Sequence, residues 1–196
     1  WGCTRIEASV PAGAHGALAL ATALGYVERS RQMTKTLPLS PPELPGGTTA
    51  RAMTEEEYAA WIAHSKEAYA QDWIDRGVPA AQARAKAAAD VDSSLADGLA
   101  TPGARLSVLV HADEVVGTLW VAERGSEIFV YDVEVRGEHR GRGYGRALML
   151  LAERQCLEAG KDRVGLNVFA GNTSALRLYE SLGYEATAYS VYKQLL

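Results

Sequence analysis

Between residues 143 and 159, Tyr144, Ala147, Leu148, Leu151 and Ala152 fall at the spacing of one helix face, and Gly160 ends the run. Val164, Leu166 and Val168 then alternate as a strand. Asn172 precedes a second helix with the stripe Ala175, Leu178, Tyr179 and Leu182. Gly183 stops it, and 184–196 reads as a closing strand. Upstream, three β-rich runs at 106–111, 115–122 and 128–135 are joined by short turns, the pattern of an antiparallel meander. Before them, Thr54-Glu55-Glu56-Glu57 is a capping box opening a helix to about residue 70, and Pro79 opens an Ala-rich helix to about Leu95. Residues 50–53 form a short strand. The order is β-α-α-β-β-β-α-β-α-β, with a strand–helix–strand step over 128–168. It predicts an α+β domain whose mixed, mostly antiparallel central sheet is flanked by helices and contains one parallel pair.

The first 37 residues repeat the last quarter of the chain. With an offset of 158, residues 2–37 lie over 160–195 without a gap, and 13 of 36 positions are identical. The match includes Ala12-Gly13 on Ala170-Gly171 and Leu24-Gly25-Tyr26 on Leu182-Gly183-Tyr184, so it continues past the helix into the following strand. A signal peptide is a poorer reading of Arg5 and the Ala/Leu run to Leu24, because Pro11, Gly13, His15 and Gly16 interrupt it. The chain opens on Trp1 rather than Met, which fits a piece of a longer or processed protein. Residues 38–47, PLSPPELPGG, can continue neither helix nor central strand and read as a stiff linker. The expected division is a repeat unit at 1–37, a linker at 38–47 and a complete domain at 48–196.

Composition narrows the chemistry. Hydrophobic residues make up 47% and charged residues 22%, and the net charge of −4 argues against a nucleic-acid coat. No apolar run is long enough for a membrane span. Cys3 and Cys156 make neither a disulfide framework nor a zinc site and suit a reducing cytoplasm, and the four histidines show no metal spacing. No metal is expected.

One loop stands out. Residues 136–146, RGEHRGRGYGR, follow an apolar strand and open a helix. Four arginines against Glu138 leave it net +3 in an acidic domain, and Gly141, Gly143 and Gly145 let backbone N–H groups approach a ligand. With a helix N-terminus behind them, these features suit an anion, above all a pyrophosphate. A Walker A loop would end in Gly-Lys-Ser/Thr, where this one has Gly145-Arg146-Ala147. A dinucleotide fingerprint would place its third glycine at Arg146 and follow the first strand of a parallel sheet.

Arg140-Gly141-Arg142-Gly143-Tyr144-Gly145 resembles the R/Q-x-x-G-x-G/A acetyl-CoA loop of the GNAT superfamily of N-acetyltransferases. Val133-Glu134-Val135 resembles that family's fourth strand, and Asn172 to Ala175 with Leu178-Tyr179 and Leu182-Gly183-Tyr184 resembles its closing motif. The resemblance covers about 48–196, and residues 2–37 look like the tail of another such domain. Ala14 and Ala21 stand there in place of Asn172 and Tyr179, so that tail looks catalytically silent.

The resemblance implies acetyl-CoA as co-substrate and transfer to a primary amine by direct attack in a ternary complex. It assigns the pyrophosphate to the amides of Gly141, Arg142, Gly143, Tyr144, Gly145 and Arg146 behind Arg140. It assigns the pantetheine arm to the backbone of Val133 and Val135, with Asn172 touching it, although Asn172 also reads as a plain helix cap. Tyr179 is implied as proton donor to the departing thiolate. Asp132 and Glu134 share the strand face opposite the valines, and Glu134 is the candidate base. The acid pair suggests a basic acceptor, a small molecule or a peptide amine. Asn167, polar within an apolar strand, is a weaker candidate for contact with cofactor or acceptor. A non-catalytic acyl-CoA-binding or regulatory module is the alternative, but it need keep neither Tyr179 nor Glu134. Residues 1–37 cannot bury their own faces, so they are expected to dock on the complete domain or swap into a neighbour, as in a homodimer.

Overall fold

The computed structural model describes residues 3–195. Eight strands form one sheet, in the order β1-β8-β2-β7-β6-β5-β4-β3. In chain order the elements are β1 (Arg5–Pro11), α1 (His15–Ala23), β2 (Val27–Thr36), β3 (Thr48–Ala52), α2 (Glu55–Ile74) and α3 (Ala80–Ser94). They continue with β4 (Ala104–His111), β5 (Glu114–Arg124), β6 (Glu127–Val135), α4 (Tyr144–Glu158), β7 (Arg163–Phe169), α5 (Thr173–Ser181) and β8 (Glu185–Gln194). Every pairing is antiparallel except β6 with β7, as the strand–helix–strand step requires.

Alternation along the strands separates two cores. Leu109, Leu119 and Val121 point to the α4 side, where Leu148, Met149 and Ala152 are fully buried. Leu106, Val108 and Trp120 point to the other side and pack under α2 and α3, through Trp61, Val91 and Leu95. The capping box at Thr54 forms in both directions, Thr54 Oγ1 accepting from Glu57 N and Glu57 Oε2 from Thr54 N. Arg51 pairs with the same carboxylate and draws its pKa down to about 2.

The repeat unit occupies the sheet in a way its sequence does not announce. The elements of 5–36 and 163–194 correspond residue for residue at the 158 offset. β2 lies between β7 and β8, and β8 lies between β1 and β2, so the two closing strands are exchanged. The registers obey the same symmetry: Arg5 opposite Gln194 answers Thr36 opposite Arg163, and the local two-fold passes through the pair Arg31 and Tyr189. β2 is integral to the core: Met33 is 1% exposed, and Lys35 reaches the buried Glu153 of α4 at 2.7 Å. A carboxylate so buried needs that partner.

Candidate active site

A bulge at Tyr131 decides what β6 presents. Trp120 of β5 faces Asp132, while the next residue, Val121, already faces Val130. The extra residue reverses the alternation. Without it Asp132 would share the α4 side with Ile128 and Val130. With it, Val133 and Val135 pack on that core, and Asp132 and Glu134 turn toward α2.

Two α2 residues one turn apart meet the carboxylates. Trp61 Nε1 donates to Asp132 Oδ2 at 3.1 Å, and His64 Nε2 lies 2.9 Å from Glu134 Oε2. Burial pushes the Asp132 carboxyl up to about 6, and the Glu134 charge adds to the rise. Glu134 is the more open of the two and also has Arg140 of the glycine-rich loop at 3.8 Å. The expected base is therefore braced by His64 and Arg140, while its neighbour is the group pushed toward neutral pKa. Neither Trp61 nor His64 carried a signal in the sequence, since the Ala-rich α2 has no motif around them.

Next to the bulge the sheet opens. The parallel pairing of β6 with β7 covers only 128–130 against 164–166, and the rest of β6 leaves its β7 edge unpaired. The slot accommodates an extended chain with amide groups, paired as an added strand would be. One acceptor on it is already used: the Val135 carbonyl takes the Arg140 Nε–H at 3.2 Å.

At the end of β6, Gly141 and Gly143 have φ of +76° and +86°, and a Cβ on either would meet nothing within 4 Å. These two glycines supply backbone conformation beneath open space. Gly145 has another task, since a Cβ there would lie 3.2 Å from Leu178, where α4 and α5 approach. No side chain caps α4 and no acid sits in its first turn, so its leading N–H groups remain available to an anion. Arg142 is exposed, and Arg146 donates to Ser181 Oγ at 2.8 Å. The Tyr144 ring is buried beside His111 and His139.

Tyr179, 7% exposed, sits on α5 beside a cavity of about 610 Å³ between the sheet and α2–α3. Asp132, Asn172 and Asn167 line the same cavity, which brings the expected donor together with one member of the acid pair. Burial and the Asp132 charge push the Tyr179 phenol up to about 12. Asn172 Oδ1 accepts from Ala175 N at 3.1 Å, so it caps α5 while lining the cavity. Arg29 and Gln32 of β2 line it as well, a contribution that the tail-like sequence of 2–37 did not suggest. Among the described residues there is no cluster of three or more groups suited to a metal, and no helix is long and apolar enough to cross a membrane.

The acetyltransferase (GNAT) family model matches residues 53–184. The chain belongs to the GNAT family. It is thus an N-acetyltransferase of a family that generally uses acetyl-CoA. An uncharacterized N-acetyltransferase of Bacillus subtilis, YycN, is 27% identical over 149 residues, covering 73% of this chain and 96% of its own length. A mycothiol acetyltransferase of Thermobispora bispora is 33% identical over 187 residues, 87% of this chain and 60% of that protein. The crystal structure of a GCN5-related N-acetyltransferase from Sphaerobacter thermophilus superposes with a TM-score of 0.63 at 25% identity. That match covers 97% of this chain and 59% of the other. The chain therefore spans about three-fifths of these two longer relatives.

Proposed function

We propose that the protein moves the acetyl group of acetyl-CoA to a primary amine by direct attack in a ternary complex. The observation that carries the reading is the convergence of a half-buried, upshifted Asp132 and a buried Tyr179 on one cavity beside an open strand edge. The residues present suit acetyl-CoA: the loop amides from Gly141 to Arg146 hold the pyrophosphate, and the free edge of β6 at Val133 and Val135 takes the pantetheine. Asn172 stands where β7 gives way to α5.

Bound acetyl-CoA supplies a thioester whose carbonyl carbon accepts the amine. Asp132 takes the ammonium proton, the task a carboxyl with a pKa near 6 performs at neutral pH. A backbone N–H near Val135 steadies the oxygen that gains charge. Tyr179, held protonated by its raised pKa, gives its proton to the sulfur as the C–S bond breaks. The extra proton that the nitrogen still carries after attack returns to the phenolate, leaving the neutral amide and the CoA thiol. This assigns the base to Asp132 in place of Glu134, which His64 and Arg140 hold as a brace between α2 and the cofactor loop.

In the same reading, 1–37 is the closing quarter of a further lobe of this fold, 38–47 the linker and 48–196 the catalytic domain. The matched elements and exchanged strands support it. The exposed Leu20 and Leu24 of α1 then form the face that a helix like α4 covers in that lobe. Amide exchange checks the arrangement: β2 should be slow and α1 fast, and fast exchange throughout 5–36 would remove it.

Thermal stability with acetyl-CoA, against NAD and ATP, tests the main proposal. At about 100 times Kd the ligand adds about 2.7 kcal/mol, or roughly 5–10 °C for a chain of this size. A shift with acetyl-CoA alone supports the proposal; no shift with any CoA ester ends it.

A further inference from the structure

The floor of the cavity is made by two strands from opposite ends of the chain. Asn167 of β7 and Gln32 of β2 are direct partners in the antiparallel register, and both line the cavity with exposed side chains. Several of the other polar groups around them are engaged, while the buried Trp73 indole N–H has no partner among the described residues. Asp90 accepts from Tyr69 and Lys86, Arg29 donates to Glu7, Asp132 accepts from Trp61 and Asn172 caps α5. Among the described residues, the carboxamides of Gln32 and Asn167 make no hydrogen bond. Side by side they offer four N–H donors and two carbonyl oxygens. Trp73, packed on Phe169 at 5.9 Å, gives the cavity an aromatic side.

We infer that Gln32 and Asn167 form an acceptor-recognition platform across the strand exchange, selecting amines whose body carries hydroxyl or amide groups beside an apolar ring face. The inference rests on the acetyl-transfer reading and names the acceptor class for that same site. A purely hydrocarbon amine would strip water from both carboxamides and return no hydrogen bond, whereas a hydroxylated ring satisfies them and still lies against Trp73. Gln32 is then a specificity residue contributed by the repeat unit, which explains why β2 is polar on its cavity side and buries Met33 on the other.

D-glucosamine and cyclohexylamine test this, being six-membered-ring amines that differ mainly in hydroxyl groups. Binding is measured by calorimetry on the full chain in the presence of CoA, and turnover by CoA release from acetyl-CoA. Glucosamine should bind at least about tenfold more tightly. Gln32→Leu and Asn167→Leu should each remove most of that preference by weakening glucosamine, visible as a rise in its KM, with the thermal shift from acetyl-CoA retained. A preference for cyclohexylamine, binding of neither amine, or a glucosamine preference that survives both substitutions would overturn the inference. Loss of the acetyl-CoA shift in the unaltered chain would sink the transfer reading separately, while the binding comparison still reports on the platform.

Discussion

Residues 5–36 and 163–194 fold into the same strand–helix–strand unit, yet only the second buries its helix. Even the residues before the two helices share a backbone conformation, Ala14 at φ −88°, ψ 61° and Asn172 at φ −86°, ψ 69°. The difference lies in what packs against each. α5 and the Leu182 that follows it lie against α4, burying Leu176, Tyr179 and Leu182, while α1 buries no residue and the Leu24 that follows it is 52% exposed. Local sequence similarity reproduces the backbone, and burial, which raises the pKa of acidic groups and confers stability, comes from the neighbours.

The largest expected contrast is chemical. Tyr179→Phe should lower kcat by about two orders of magnitude with acetyl-CoA affinity nearly intact, whereas a serine at its counterpart Ala21 should leave turnover where it is. Asp132→Asn should do at least as much damage. Turnover of the unaltered chain should rise with pH through about 6 as Asp132 loses its proton, and an activity profile flat from pH 5 to 8 would exclude that assignment.

Packing gives the next contrast. Leu182→Ala should cost about 2–4 kcal/mol in urea unfolding, and Leu24→Ala about 0.5 or less, although the two leucines are equivalent in the repeat. Equal costs would mean that α1 is covered after all.

Asp132 also enters stability. Its pKa is about 6 in the folded chain and near 3.9 unfolded, so between these values the folded state holds the extra proton. Stability should therefore fall as pH rises from about 4 to 6, by on the order of 2–3 kcal/mol, and Asp132→Asn should flatten that slope.

The smallest contrast is the helix cap. Asn172→Ala should cost about 1 kcal/mol, and Ala14→Asn should gain about 0.5–1 kcal/mol, because the backbone at 14 is already placed for it.

Much of the site could be read along the chain. The glycine-rich loop, the two helix stripes and the pairing of Asp132 with Glu134 are all sequence-local, since each depends on spacing within one element. The choice between the two carboxylates was not local. It depends on the Tyr131 bulge and on Trp61 and His64, 71 and 70 residues away from the acids they meet. The part played by β2 was hidden for another reason: its polar cavity side looks like any solvent-facing strand until Asn167 is set beside it.

By itself, then, the sequence determined the element order, the single parallel pair, the glycine- and arginine-rich loop and the presence of a repeat, because periodicity, turn chemistry and capping act over a few residues. The tertiary structure decided the exchange of β2 and β8, the gap between β6 and β7, and which carboxylate is pushed to a pKa of about 6. Those outcomes depend on desolvation and strand pairing between distant segments, and no local pattern encodes either.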